Sequence, residues 1–266
     1  MDELPINAET TNKALDFIDE STKETRKELD KTGAKGVNKL AQLLWASPIG
    51  RKADIYIAER PYKMEKELKK MQAKYDNIPV EYQVEPTSYI ALKGVNELSY
   101  ALEEEHLKEM FENLLIADMD SRKQSKVLPA YIEIIKQLNK DDAKFLKLLY
   151  ENKYNVCAIS LQLHTENKEG YSELDNYIIS NLKIKDGMAG FSTLKLNPLV
   201  VDNLLMHRLI EVDYTRYYPD CNDQYETLFN SIKNKYKLKE NSSLSYEKGI
   251  IKLTNLGLNF IEICLS

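Results

Sequence analysis

Apolar residues recur at helical spacing most densely between residues 97 and 150, where three amphipathic segments follow one another with short breaks. In the first, Leu107, Met110, Phe111, Leu114 and Leu115 fall at i, i+3, i+4, i+7 and i+8 on one helical face. Glu103, Glu104, Glu105, Lys108, Glu109 and Glu112 predict a wet opposite face. The second opens at Pro129, whose missing N–H costs nothing in a first turn. It carries Tyr131, Ile132, Ile134, Ile135 and Leu138 around most of its circumference, which predicts a central position. The third starts at Asn139, with Asp142 placed three residues on to complete a reciprocal cap, and continues through Phe145, Leu146, Leu148 and Leu149.

Upstream the pattern thins. Residues 1–36 are polar, with Leu15, Phe17, Ile18 and Leu29 too sparse for a stripe, and predict a tail or frayed helix. Val37, Leu40, Ala41, Leu44 and Trp45 then share one face until Ser47-Pro48-Ile49-Gly50 ends the helix. Residues 51–75 read as a longer helix dense in Lys, including Lys63, Lys66 and Lys70, which Pro61 should start or kink. Ile78-Pro79 and Glu85-Pro86 bracket an extended link, and Tyr89–Leu98 reads as a short helix.

Downstream of residue 150 the period changes. Ile159, Leu161 and Leu163 alternate with polar residues as a half-buried strand, and Ser172 with Asp175 predicts a capped helix holding Leu174, Tyr177 and Ile178. Asn197-Pro198 should cap another helix. Residues 209–217 alternate as a strand that Pro219 stops, residues 223–236 are helical, and residues 250–253 form a strand before Thr254 caps the last helix. With a wing-like turn at Lys248-Gly249, this is the order of a winged helix carrying a helical insertion near 223–236. The expected fold is therefore mainly α with a small β component: a helical bundle over 37–138, then a winged-helix-like α+β module over 139–266.

The central stretch, EEEHLKEMFENLLIADMDSRK followed by LPAYIEIIKQLNKDDAKFLKLL, resembles the core of the Abi-alpha family of bacterial abortive-infection proteins. The matching residues are Met110, Phe111, Asn113, Leu114, Leu115, Met119, Asp120, Pro129, Ile134 to Leu138 with Gln137 among them, Asp142, Ala143 and Lys144. Ile78, Pro79, Glu85 and Pro86 before it, and Ile251 to Thr254 with Gly257 and Phe260 after it, are similar too, so the likeness runs over 37–266. It departs at Thr87, where the family carries a second Pro, and at Ile116-Ala117-Asp118, where it carries a small-residue run. The resemblance implies a phage-defence protein acting by binding, with the motif residues serving structure or interaction.

At 266 residues with 43% hydrophobic residues the chain can bury a sizeable core. A net charge of -5 offers no global attraction for nucleic acid or anionic lipid, so such contacts need a local patch. Cys157, Cys221 and Cys264 are widely spaced, with no Cys-x-x-Cys, and read as reduced thiols. With no signal-peptide pattern and no apolar run of spanning length, the expected location is cytoplasmic, extending to the inner face of the membrane.

Candidate chemistry is sparse. The helix after Pro198 offers Asp202, Asn203, His207 and Arg208 to DNA, a poor set for phosphates and base edges, so nucleic acid is disfavoured as a partner and a winged-helix DNA-binding regulator stands as the alternative reading. Val37, Leu40, Leu44 and Trp45, with Lys63, Lys66 and Lys70, could lie on a membrane surface or a partner, or pack on the chain's own helices. Asp118 and Asp120 are two residues apart, and ion pairs Asp118–Arg122 and Asp120–Lys123 suit them better than shared metal chemistry. His106, His164 and His207 are isolated, and no Gly-rich phosphate loop or nucleophile motif is present. The reading is of no enzyme, no cofactor, no metal and no evident small-molecule substrate; the expected partner is a protein, a phage component or a second copy, with a membrane surface as the alternative.

Overall fold

The computed structural model describes residues 59–153, 155–166, 169–185, 188–217 and 222–265, with the backbone alone in 59–65 and 180–194. The predicted tail over 1–36 and the helix through Val37, Leu40, Leu44 and Trp45 lie outside the described residues. Helices outweigh strands, so the fold is α+β and mainly α. The chain divides into two compact units, one running to Gln137 and including Ile263 onward, the other Leu138–Glu262.

The first unit holds α1 (Glu59–Asp76), α2 (Ser88–Tyr100), α3 (Glu105–Asp118) and α4 (Ala130–Gln137). Helix α3 packs against α1, α2 and α4. Its stripe of Met110, Phe111, Leu114 and Leu115 is fully buried, and Gly94 of α2 sits so close that a Cβ there would come 2.8 Å from Leu115 Cδ2. Leu107, at the edge of the stripe, is half-buried. Two residues assigned to the wet face are buried instead, Lys108 and Glu112. Periodicity counts them as polar, but α1 covers that side and supplies the opposite charges that let them leave water. Between α1 and α2 the expected extended link forms a 3₁₀ turn, Val80–Tyr82, and one bridge, Gln83 opposite Asp120.

The second unit begins with α5 (Lys140–Glu151), where the predicted reciprocal cap is present. Asn139 Oδ1 accepts from Asp141 N at 2.8 Å and Asp142 N at 3.1 Å, and Asn139 N donates to Asp142 Oδ2 at 2.8 Å. Then come β1 (Asn155–Thr165), β2 (Ser172–Lys185), β3 (Met188–Lys195), α6 (Pro198–Met206), β4 (Ile210–Asp213), α7 (Asn222–Lys233), β5 (Ser242–Leu253) and α8 (Asn255–Cys264). The strands form one antiparallel sheet, ordered β3-β2-β1-β5-β4. Tyr225, Leu228 and Ile232 of α7 pack with Cys157, Ile159, Leu161 and Ile178 to make its core.

Three local expectations fail here. Residues 172–178 are strand, because pairing of Ile159 with Ile178 and Ala158 with Ile179 overrides a Ser172/Asp175 spacing that only imitates a cap. Lys248 and Gly249 lie inside the twelve-residue β5 and form no wing turn. Gly249 is there for clearance: a Cβ would meet Tyr214 Cδ1 at 2.4 Å. The strand expected over 209–217 is limited to Ile210–Asp213, where β5 pairs with it. Other readings hold locally. Asn197 Oδ1 accepts from Leu199 N at 3.1 Å at the start of α6, and Thr254 Oγ1 accepts from Gly257 N at 2.9 Å at the start of α8.

Candidate functional site

The site grows from the end of α3. Asp118 is buried and accepts from Thr87 N at 2.7 Å and Thr87 Oγ1 at 3.0 Å, which ties this end to the start of α2. Burial pushes its carboxyl above the usual range against the pull of those two bonds. Two residues on, Asp120 accepts from Arg122 N at 3.0 Å, Nε at 2.9 Å and Nη2 at 2.6 Å. These bonds hold its carboxyl low and raise the guanidinium. Spacing suggested Asp118–Arg122 and Asp120–Lys123; instead Asp118 takes Thr87, and Asp120 takes Arg122. The Arg122 guanidinium also lies over the Tyr82 ring, 4.6 Å from its centre.

Beside this turn is a cleft of about 310 Å³, lined on its polar side by Lys74, Asn77, Asn113, Asp120, Arg122 and Lys123. Ile78, Ile116, Ala117 and Ile263 form its apolar side. Asn113 is fixed at both ends: Oδ1 accepts from Lys74 Nζ at 2.9 Å, and Nδ2 donates to Cys264 O at 3.1 Å. Lys74 Nζ also meets Glu112 Oε2 at 3.2 Å. Behind it a buried charge network continues, with Lys108 Nζ 3.5 Å from Glu67 Oε1 and Lys70 Nζ 2.8 Å from Glu67 Oε2. Burial, together with a hydrogen bond to Glu67, pushes Glu112 up to about 7 against the pull of Lys74. Burial also acts to raise Glu67, but its bonds to Glu112 and Lys70 and the charge of Lys108 outweigh it and leave this carboxyl low. Of the pair, Glu112 is therefore the member that takes up a proton first as pH falls.

The structure sorts the sequence motif into core, cleft and exposed positions. Met110, Phe111, Leu114, Leu115 and Met119 are core, with Met119 O accepting from Val84 N at 3.0 Å. Asn113 and Asp120 meet at the cleft. Pro129 is exposed at the entrance to α4, and Gln137 is exposed at its end. Of the proposed membrane face, Lys66 is exposed, Lys70 is engaged with Glu67, and the Lys63 side chain lies outside the described residues, as do Val37, Leu40, Leu44 and Trp45. Sequence reasoning missed Lys74, Lys123, Glu67 and Glu112 as members of one site. Lys74 comes from a helix nearly forty residues away, a separation that no local spacing signals.

Elsewhere the candidate chemistry is occupied. Asn203 of α6 donates from Nδ2 to Asp142 Oδ2 at 2.8 Å, and His207 Nε2 is buried. That helix instead exposes Leu199 and Met206, at 72% and 64%, which is a poor face for reading base edges. His164 Nε2 is 2.7 Å from Ser245 Oγ, whose hydroxyl is also placed to donate to Gln162 Oε1 at 3.2 Å. No group of three His, Cys, Asp or Glu suited to a metal occurs among the described residues. No helix there is long and apolar enough to cross a membrane.

A family model described as abortive infection alpha matches residues 59–264. That span takes in the cleft and every described element. No curated protein and no solved structure matches the chain significantly.

Proposed function

We propose that this chain, which belongs to the abortive infection alpha family, serves in phage defence by binding rather than by catalysis, and that the cleft at the end of α3 is its binding site. The observation that carries this reading is the convergence of Asn113 and Asp120, two polar residues of the motif, on one cleft with Lys74, Arg122 and Lys123. Their side chains are held by one another. Asp120 is locked to Arg122 and Asn113 to Lys74, so neither is poised as a base or nucleophile. Held donors on a rigid helix end suit recognition.

The reading is tested by growth curves of bacteria expressing the protein and infected at low and high ratios of phage to cells. Wild type is expected to give survival at low ratio and collapse at high ratio. Lys123→Glu reverses a charge at an exposed cleft position without touching the core, and is expected to abolish both effects. Lys235→Glu, exposed on the second unit, serves as the control. Full protection by Lys123→Glu would overturn the assignment.

A further inference from the structure

The polar side of the cleft is rich in donors and poor in acceptors. Both oxygens of Asp120 are taken by Arg122, and Asn113 Oδ1 is taken by Lys74. Arg122 directs only two of its five side-chain N–H groups at Asp120. Lys74 directs two of its three at Glu112 and Asn113. Lys123 is exposed, and its ammonium makes no ion pair among the described residues. What the site lacks is therefore an acceptor carrying negative charge. A cation would find no open carboxylate oxygen in the lining, and a neutral ligand would leave Lys123 unused.

The charge balance points further. Three cations, Lys74, Arg122 and Lys123, face one lining carboxylate, Asp120, and even with the Lys74 partner Glu112 counted as charged a net positive charge remains at a site of ligand size. Its other side is hydrocarbon, from Ile78, Ile116 and Ile263. A bare inorganic anion would leave that side in contact with water.

We propose that the cleft binds a small phosphate monoester, with Lys123, Lys74 and Arg122 meeting the phosphoryl oxygens and Ile78, Ile116 and Ile263 meeting the apolar body of the ester. This rests on the cleft being the functional site. Arg presents a planar fork that matches phosphate, and Lys a mobile point charge, a pairing that suits a tetrahedral dianion better than a planar carboxylate.

The test uses the full chain, ¹⁵N-labelled, titrated with phenyl phosphate, inorganic phosphate, benzoate and phenol. Phenyl phosphate is expected to displace the amide signals of Asn77, Asn113, Arg122 and Lys123, with inorganic phosphate and benzoate at least fivefold weaker and phenol inert. Lys123→Ala should weaken phenyl phosphate at least fivefold, and Lys123→Arg should retain it. No displacement at 10 mM phenyl phosphate, equal displacement by phenol, or an unchanged affinity in Lys123→Ala would each overturn the proposal. The infection assay separates the two readings. Loss of defence in Lys123→Glu without phosphate binding refutes only the ligand class, whereas phosphate binding with defence intact in Lys123→Glu refutes the cleft as the defence site.

Discussion

Replacing Glu112 by Gln should make the first unit more stable at pH 8 and leave it nearly unchanged at pH 5. Glu112 is 4% exposed, its Oε1 has no hydrogen-bond donor, and it shares its surroundings with Glu67, Lys70, Lys74, Lys108 and Glu105. Folding raises this carboxyl from 4.5 to about 7 because burial and Glu67 disfavour its charge. Between those values the folded state holds a proton that the unfolded state has lost, so stability falls as pH climbs from about 4.5 to about 7. The shift corresponds to about 3 kcal/mol, fully expressed at pH 8. Gln imitates the protonated acid, retaining a donor toward Glu67, and removes that cost. The raised value is already net of the pull of Lys74, so the expectation is a gain of about 3 kcal/mol at pH 8 and of less than about 1 kcal/mol at pH 5. Hydrogen-exchange protection of amides in α1 and α3 reads this unit by itself. A difference between variant and wild type that stays constant from pH 5 to pH 8, or a variant less stable at pH 8, would refute the reasoning.

Other expectations follow from the same geometry. Leu114→Asp places a charge at a fully buried position among Met110, Phe111 and Leu115, and should cost about 4 kcal/mol or more and abolish soluble expression; folded, soluble protein would show that the core is misplaced. Asp120→Ala removes three bonds to Arg122 and should lower stability by about 1 to 3 kcal/mol while leaving a folded chain, read by urea unfolding followed by circular dichroism. Gly257→Ala drives a Cβ to 1.9 Å from Leu209 O, a backbone atom that cannot swing aside, so exchange protection across β4 and α8 should fall by about 2 kcal/mol or more. Duplex DNA should give no mobility shift at 100 mM salt, since α6 offers Leu199, Asp202 and Met206 outward while Asn203 is committed to Asp142; a shift that weakens steeply with salt would reinstate DNA binding.

How far the sequence could be read depended on whether a pattern was answered locally. The apolar stripe of α3, the start of α4 beside Pro129, and the Asn139–Asp142 cap are all decided within a turn or two of chain, and each stands where spacing put it. The polar motif residues Asn113 and Asp120 were also singled out, though not as members of one cleft. By contrast Ser172 and Asp175 spell a cap and form a strand, since the competing hydrogen bonds come from β1, across a connection that no local rule weighs. Gly249 reads as a turn residue, and it is small because Tyr214 passes over it.

By itself the sequence determined that this chain folds as a mostly helical protein, where its strongest helices begin, and which residues carry a family motif. Those are consequences of side-chain size and spacing along a single segment. Tertiary structure alone decided that Lys108 and Glu112 leave water, that Asp118 and Asp120 take separate partners, and that Lys74 reaches Asn113 from another helix. The reason is electrostatic. A charged residue is read as exposed until a partner is known, and the partners here lie on helices separated by tens of residues, so the burial of a charge and the shape of the cleft exist only once those helices have packed.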